Sequence, residues 1–184
     1  MAKPAADRIL VNRAPVLTLW AAVVAARLGF DRDEALTMGR VVAGLNAYAK
    51  GKALGIFHPR PKELEEKRKA LAAGEALTVS LLGRAVPCVR TPEGLRAVSK
   101  GKPVAPASVE RYLEAKFGEA LGAAERAMRE LAAAFDPDDL AAHGFALYEQ
   151  FRPEVPPGTK GWGARGVLDL AKLGALAPRP LRAR

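Results

Sequence analysis

The chain has 184 residues, 49% of them hydrophobic, and a formal charge of +9. That length suits one domain of ordinary size with ample core material. The single cysteine, Cys88, excludes an internal disulfide framework, and no apolar run approaches the ~20 residues of a membrane helix.

The opening MAKPAADR has no apolar signal region, so the chain reads as cytoplasmic, with no membrane partner. Only Asn12, Asn46 and Gln150 carry side-chain amides; that scarcity, beside abundant Arg, Glu, Ala and Pro, is thermophile-like, a bias that GC-rich coding also gives. The charge is unevenly spread. Residues 1–104 hold 18 Lys/Arg against 9 Asp/Glu, whereas residues 105–152 hold 5 against 9. A basic body beside an acidic helical segment points to polyanion contact on one face.

Residues 1–11 read as an arm, with Asp7 to Val11 able either to add a short strand or to pack loosely. Asn12 can start a helix with Pro15 in its first turn, running to Leu28 and stopping at Gly29. A second helix is expected from Asp33 to Lys50, capped by Asp31 or Asp33. It is apolar or small on nearly every side, which marks it as a buried central helix. Gly39 and Gly44 suggest close helix packing there, and Asn46 should be a satisfied core amide.

Residues 50–62 hold Lys50, Lys52, Arg60 and Lys62 with no acid, in a stretch broken by Gly and Pro. Pro61 to Ala73 reads as a charged, largely solvated helix with Glu63–Lys67 and Glu65–Lys69 pairs. Ala76 to Arg90 carries the strand signal: a hairpin turning at Gly83-Arg84, with Pro87 pushing its second strand toward an edge or a bulge. Leu95 to Val98 fits either a third strand or a helical turn, and 99–106 reads as a loop carrying Lys100 and Lys102.

Apolar residues recur at helical spacing from about Ala107 to Phe135, with Gly118 and Gly122 able to kink or split the helix. Asp136-Pro137 starts another helix, acidic in its first turn, which ends before Pro153. Residues 153–166, with Trp162 between glycines, read as a long structured loop or a tail wrapping the body, and Asp169 to Ala177 is expected as a last short helix. The whole reads as mainly α (α+β). One globular domain covers 1–177, made of a helical hairpin plus β-hairpin (14–104) and a helical part (105–177), with a basic tail at 178–184.

Chemistry-bearing patterns are sparse. His58, His143 and Cys88 lack metal-ligand spacing, so no metal is assigned, and His143 reads as a half-buried core histidine. Cys88 reads as an inert buried thiol. GKALG and GTKGWG match neither phosphate-loop pattern, so no cofactor is assigned. No catalytic residue is named. Three helices then a hairpin, over 14–90, is the element order of a winged helix. On that analogy Lys50, Lys52, Arg60, Lys62, Arg84, Arg90, Lys100 and Lys102 form a nucleic-acid or anion face, although Glu63, Glu65 and Glu66 on the would-be reading helix oppose it. Trp162 between glycines reads first as a lid tucked on the core; as the alternative it is, with Lys160 and Arg165, the candidate contact for a protein partner.

The stretches GRVVAGLNAYAKGKALGIF, SLLGRAVPCVRTPEGL and YEQFRPEVPPGTKGWGARG resemble a family of uncharacterised bacterial proteins of similar length. The resemblance implies a cytoplasmic domain without a known enzyme motif and transfers no site residue. Three functions stay open in this order: a non-enzymatic module binding nucleic acid through a basic face, a protein-protein interaction or dimerisation module (a homo-oligomer), and an enzyme on a small anionic substrate.

Overall fold

The computed structural model describes residues 8–53, 76–154 and 165–177, with the backbone alone for 48–53 and 76. The first helix, α1 (Arg13–Arg27), begins and ends where Asn12 and Gly29 suggest. Every residue from Pro15 to Ala25 is buried. Such a helix must be covered on all sides, and four others cover it: α2 (Arg32–Ala53), α3 (Pro106–Phe117), α4 (Leu121–Ala133) and α5 (Pro137–Phe151). The mainly α (α+β) class is therefore as read, and α1 is its most enclosed element. α2 is buried from Ala35 to Gly39 and from Val41 to Ala43, while Arg40 and Gly44 face solvent.

The start of α2 is a capping box. Asp31 Oδ1 accepts from the Glu34 amide at 2.8 Å, and Glu34 Oε1 accepts from the Asp31 amide at 3.1 Å. Gly39 lies against α1, where a Cβ would fall 2.9 Å from the Ala22 amide nitrogen and onto the Thr18 carbonyl oxygen. Gly44 departs from the expectation: it has open space around it and packs against nothing. α2 also runs past Lys50 and Gly51 to Ala53, so Lys50 and Lys52 sit on helix rather than loop.

The β signal is larger than one hairpin. Strands β2 (Ala76–Leu81), β3 (Arg84–Thr91), β4 (Gly94–Ser99) and β5 (Lys102–Pro103) form an antiparallel meander in that order. The β2–β3 turn falls one residue earlier than Gly83-Arg84. Leu82 (φ 50°) and Gly83 (φ 75°) occupy it, and Arg84 pairs with Leu81 as the first residue of β3. Both central residues at positive φ give the twist that hairpins favour. The cost of that φ at Leu82 is offset by burial, since Leu82 is 3% exposed and would touch a Cβ placed on Gly144 of α5. Pro87 is not on an edge strand: β3 lies between β2 and β4. The β3–β4 ladder, however, runs only from Cys88 to Thr91, so Pro87 sits just outside it.

α2 lies along β4. Glu34 Oε2 accepts from the Leu95 amide at 2.9 Å, and Thr37 Oγ1 accepts from the Ala97 amide at 3.1 Å while donating to the Glu34 carbonyl. Cys88 is fully buried beneath this contact. Burial, with a smaller effect from the Glu34 charge, pushes its thiol up to about 11. Cys88 should therefore resist thiol reagents at pH 8 in the folded protein and react fully in denaturant; rapid native labelling would contradict the packing. The shift also sets a pH trend. The thiol's contribution to stability is full below pH 9, where the unfolded chain begins to ionise, and is lost as pH rises toward 11. Cys88→Ala should flatten the stability slope in that window.

The 107–135 periodicity resolves into two helices. Gly118, at φ 57°, ends α3, a 3-10 turn spans Gly118–Ala120, and α4 follows. A backbone at that φ suits glycine and breaks an α-helix. α5 begins at Asp136-Pro137 as expected. The arm does form a strand: β1 (Arg8–Val11) pairs antiparallel with β6 (Gly166–Asp169), which leads into the short α6 (Leu170–Leu176), where Asp169 accepts from the Ala171 amide at 3.0 Å. No helix among the described residues is long and apolar enough to cross a membrane. The helix expected at 61–73, on which the winged-helix analogy depends, lies outside the described residues.

Candidate functional site

The direction of α2 against the sheet sorts the charges. The turn between β3 and β4 lies at the N-terminus of α2, where a Cβ on Gly94 would be 3.5 Å from Glu34 Oε2 and 4.0 Å from Asp31 Oδ2. Asp31, Asp33, Glu34 and Glu93 gather at that end, and the buried Arg96 faces Asp33 there at 4.0 Å. Acids suit a helix N-terminus, and cations a helix C-terminus.

In a meander the β2–β3 and β4–β5 turns fall together at the opposite end. Arg84 opens β3 beside the first turn, and Lys100 and Lys102 lie in and after the second. Arg84 Nη2 donates to Asn46 Oδ1 at 3.0 Å, which ties the hairpin to α2 and satisfies that amide, half-buried rather than fully so. Beyond Asn46 the α2 backbone continues to Ala53. At about 1.5 Å per residue it carries Lys50 and Lys52 roughly 6 and 9 Å further along its axis. Residues 76–105 contain a single acid, Glu93, and it sits at the far end.

Arg84, Lys100 and Lys102 thus share one end of the meander, and the α2 backbone that carries Lys50 and Lys52 runs on past Asn46 from that end. Lys100 and Lys102 are exposed, and Arg84 is half-buried. Arg90 separates from them. It is exposed, but it pairs with Leu95 near the acidic turn. Arg165 is exposed beside β6 in the other sheet. Arg60, Lys62, Lys160, Trp162 and His58 lie outside the described residues. The tip of the β2–β3 hairpin is not a free wing, because Leu82 is packed against α5.

His143 is exposed on α5 rather than half-buried; it lies beside the apolar stripe but turns outward. Among the described residues no cluster of His, Cys, Asp or Glu could hold a metal ion. Sequence reasoning missed Leu10 and Val167, the exposed large hydrophobics among the described residues at 59% and 43%, which pair across β1 and β6. Their alternation with buried Ile9, Val11 and Leu168 was readable; the pairing of segments so far apart was not. No protein-family model matches the chain, and no curated protein or solved structure matches it significantly.

Proposed function

We propose that this chain is a non-enzymatic binding module that engages nucleic acid, or a comparable polyanion, through the end of the meander where α2 finishes. The observation that carries this reading is the sorting of charge along α2 and the sheet: acids at one end, and Lys50, Lys52, Lys100, Lys102 and Arg84 toward the other. Phosphate contacts of this kind position a backbone without reading bases.

Affinity should fall steeply between about 50 and 200 mM salt, because each phosphate contact releases counterions. Changing Lys50, Lys52, Lys100 and Lys102 together to glutamine should reduce the salt slope by about 3–4 and weaken binding by about 10²-fold or more. The double variant Arg90→Gln and Arg165→Gln removes two cations elsewhere and should change affinity little. Fluorescence anisotropy with labelled duplex and single-stranded oligonucleotides checks this. Absence of binding at low salt, or equal losses in the two variants, would overturn the reading.

One observation favours the second reading, an association module. Leu10 and Val167 place an apolar pair on the outer face of the β1–β6 ribbon, where solvent contact is unfavourable. Sedimentation of Leu10→Ser beside the unchanged protein separates the readings: a concentration-dependent mass that the substitution abolishes supports association.

A further inference from the structure

The β1–β6 ribbon is closed on one side and open on the other. Beyond β6, Glu154 exchanges both backbone hydrogen bonds with Val167, at 3.4 and 3.3 Å. In an antiparallel ladder successive residues direct their N–H and C=O to alternate sides. Val167 therefore turns its backbone away from β1, while Gly166 and Leu168 turn theirs toward Val11 and Ile9. On β1 the same alternation leaves the N–H and C=O of Leu10, and those of Arg8, directed off the open edge. Neither residue forms a backbone hydrogen bond elsewhere among the described residues.

The side chains at this edge follow the same division. Ile9 and Val11 turn inward to the core, and Arg8 and Leu10 turn outward. Leu10 and its cross-strand neighbour Val167 are the large hydrophobics that the described residues leave exposed. Charge at the ribbon is unbalanced. Asp169 Oδ1 accepts from the Ala171 amide, and Glu154 pairs with Lys172, so both acids have partners. Arg8 and Arg165 are exposed and form no ion pair among the described residues.

An open edge of this kind accepts an extended peptide as a further strand: main-chain bonds hold it, and side chains select it. Two features choose the occupant. A second copy would bring a further +9 against the first, and like charges repel. A guest strand laid antiparallel on β1 places one residue opposite Leu10 and the next on the same face opposite Arg8. The first position calls for an apolar side chain and the second for a carboxylate. We propose that β1 is a docking edge for an extended segment of another protein, in which an apolar residue has acidic residues two positions away. This deepens the association reading above and rests on it; it does not depend on polyanion binding.

Fluorescence anisotropy of the full chain with the labelled peptide Thr-Glu-Thr-Val-Thr-Glu-Thr tests it. The pattern reads the same in both directions, so the spacing is present whichever way the peptide lies. Binding should saturate. Three changes to the peptide should each weaken it about three- to ten-fold: both glutamates to glutamine, valine to serine, and valine to N-methylvaline, which removes the N–H facing Leu10. Leu10→Ser should weaken binding by a similar factor. Arg8→Gln should do so for the acidic peptide and leave the glutamine peptide unaffected. Both positions face solvent, so the variants should fold, which circular dichroism checks. No saturable binding would overturn the proposal, as would binding indifferent to N-methylation, to Arg8→Gln or to Leu10→Ser. Sedimentation without peptide keeps the two readings apart. Self-association that Leu10→Ser abolishes, with no peptide binding, would replace the acidic segment by a second copy and leave the association reading standing; absence of both would end both.

Discussion

Replacing Trp20 with alanine is expected to cost about 3–5 kcal/mol of folding stability. Trp20 is fully buried in the middle of α1, and it is what α5 rests on. Its indole Nε1 donates to the Gly144 carbonyl of α5 at 2.9 Å. Phe151, one end of the same helix, meets the indole edge-on, with ring centroids 5.2 Å apart and planes at 86°. Tyr148 extends the cluster at 5.9 Å from Phe151. Truncation removes the largest fully buried side chain among the described residues, its ring contacts and one hydrogen bond, and it leaves a cavity that the flanking helices close only in part. Since domains of this kind keep roughly 5–15 kcal/mol in hand, the variant should be marginal. Trp20→Phe should lose much less, about 1–2 kcal/mol, because most of the volume stays. Urea unfolding followed by circular dichroism reads both. A loss under about 1 kcal/mol for the alanine variant would mean that α5 does not depend on α1 as described.

The second large effect comes from one substitution made at two positions of the same helix. Gly39→Ala should destabilise by about 2–3 kcal/mol, because the new methyl meets α1 backbone, the Thr18 carbonyl and the Ala22 amide, and neither can swing aside as a side chain would. The two helices would have to part, loosening the apolar contacts on either side. Gly44→Ala should instead stabilise by about 0.5–1 kcal/mol: the site is exposed with open space around it, and alanine loses less backbone entropy on entering a helix. Opposite signs are the diagnostic outcome. Equal effects would mean that α1 and α2 do not cross where Gly39 lies.

Those two glycines also show what the sequence could and could not reveal. Both interrupt the same helical pattern, and intrinsic propensity treats them alike; only the position of α1 separates them. Local signals were dependable where the cause was local. Asn12 and Gly29 bounded α1, Asp136-Pro137 opened α5, and Gly118 broke the 107–135 stretch because its backbone adopts a φ that α-helix cannot use. The hairpin turn slipped by a single residue because Leu82 accepts a positive φ in return for burial under α5, a tertiary gain that turn chemistry alone does not register. The β1–β6 pairing joins residues 8–11 to 166–169, and no local pattern announces so distant a partner. The candidate face was legible as a list of cations. Its geometry was not, since Arg90 leaves the group only once β3 has a direction. The ion pairs of Arg32 with Glu110 and Glu125 were invisible for the same reason: these carboxylates are 78 and 93 residues away.

The two bonds from Glu34 and Thr37 to the backbone of β4 carry a consequence for the behaviour of this protein in crowded solution. A strand whose amides point outward is a template on which another chain can lay its own backbone, and such growth leads to fibres. Here the amides of Leu95 and Ala97 are already answered by side chains of a helix, which offers no further row of donors and acceptors to copy. The helix that supplies the lysines therefore also keeps this part of the sheet from seeding aggregates.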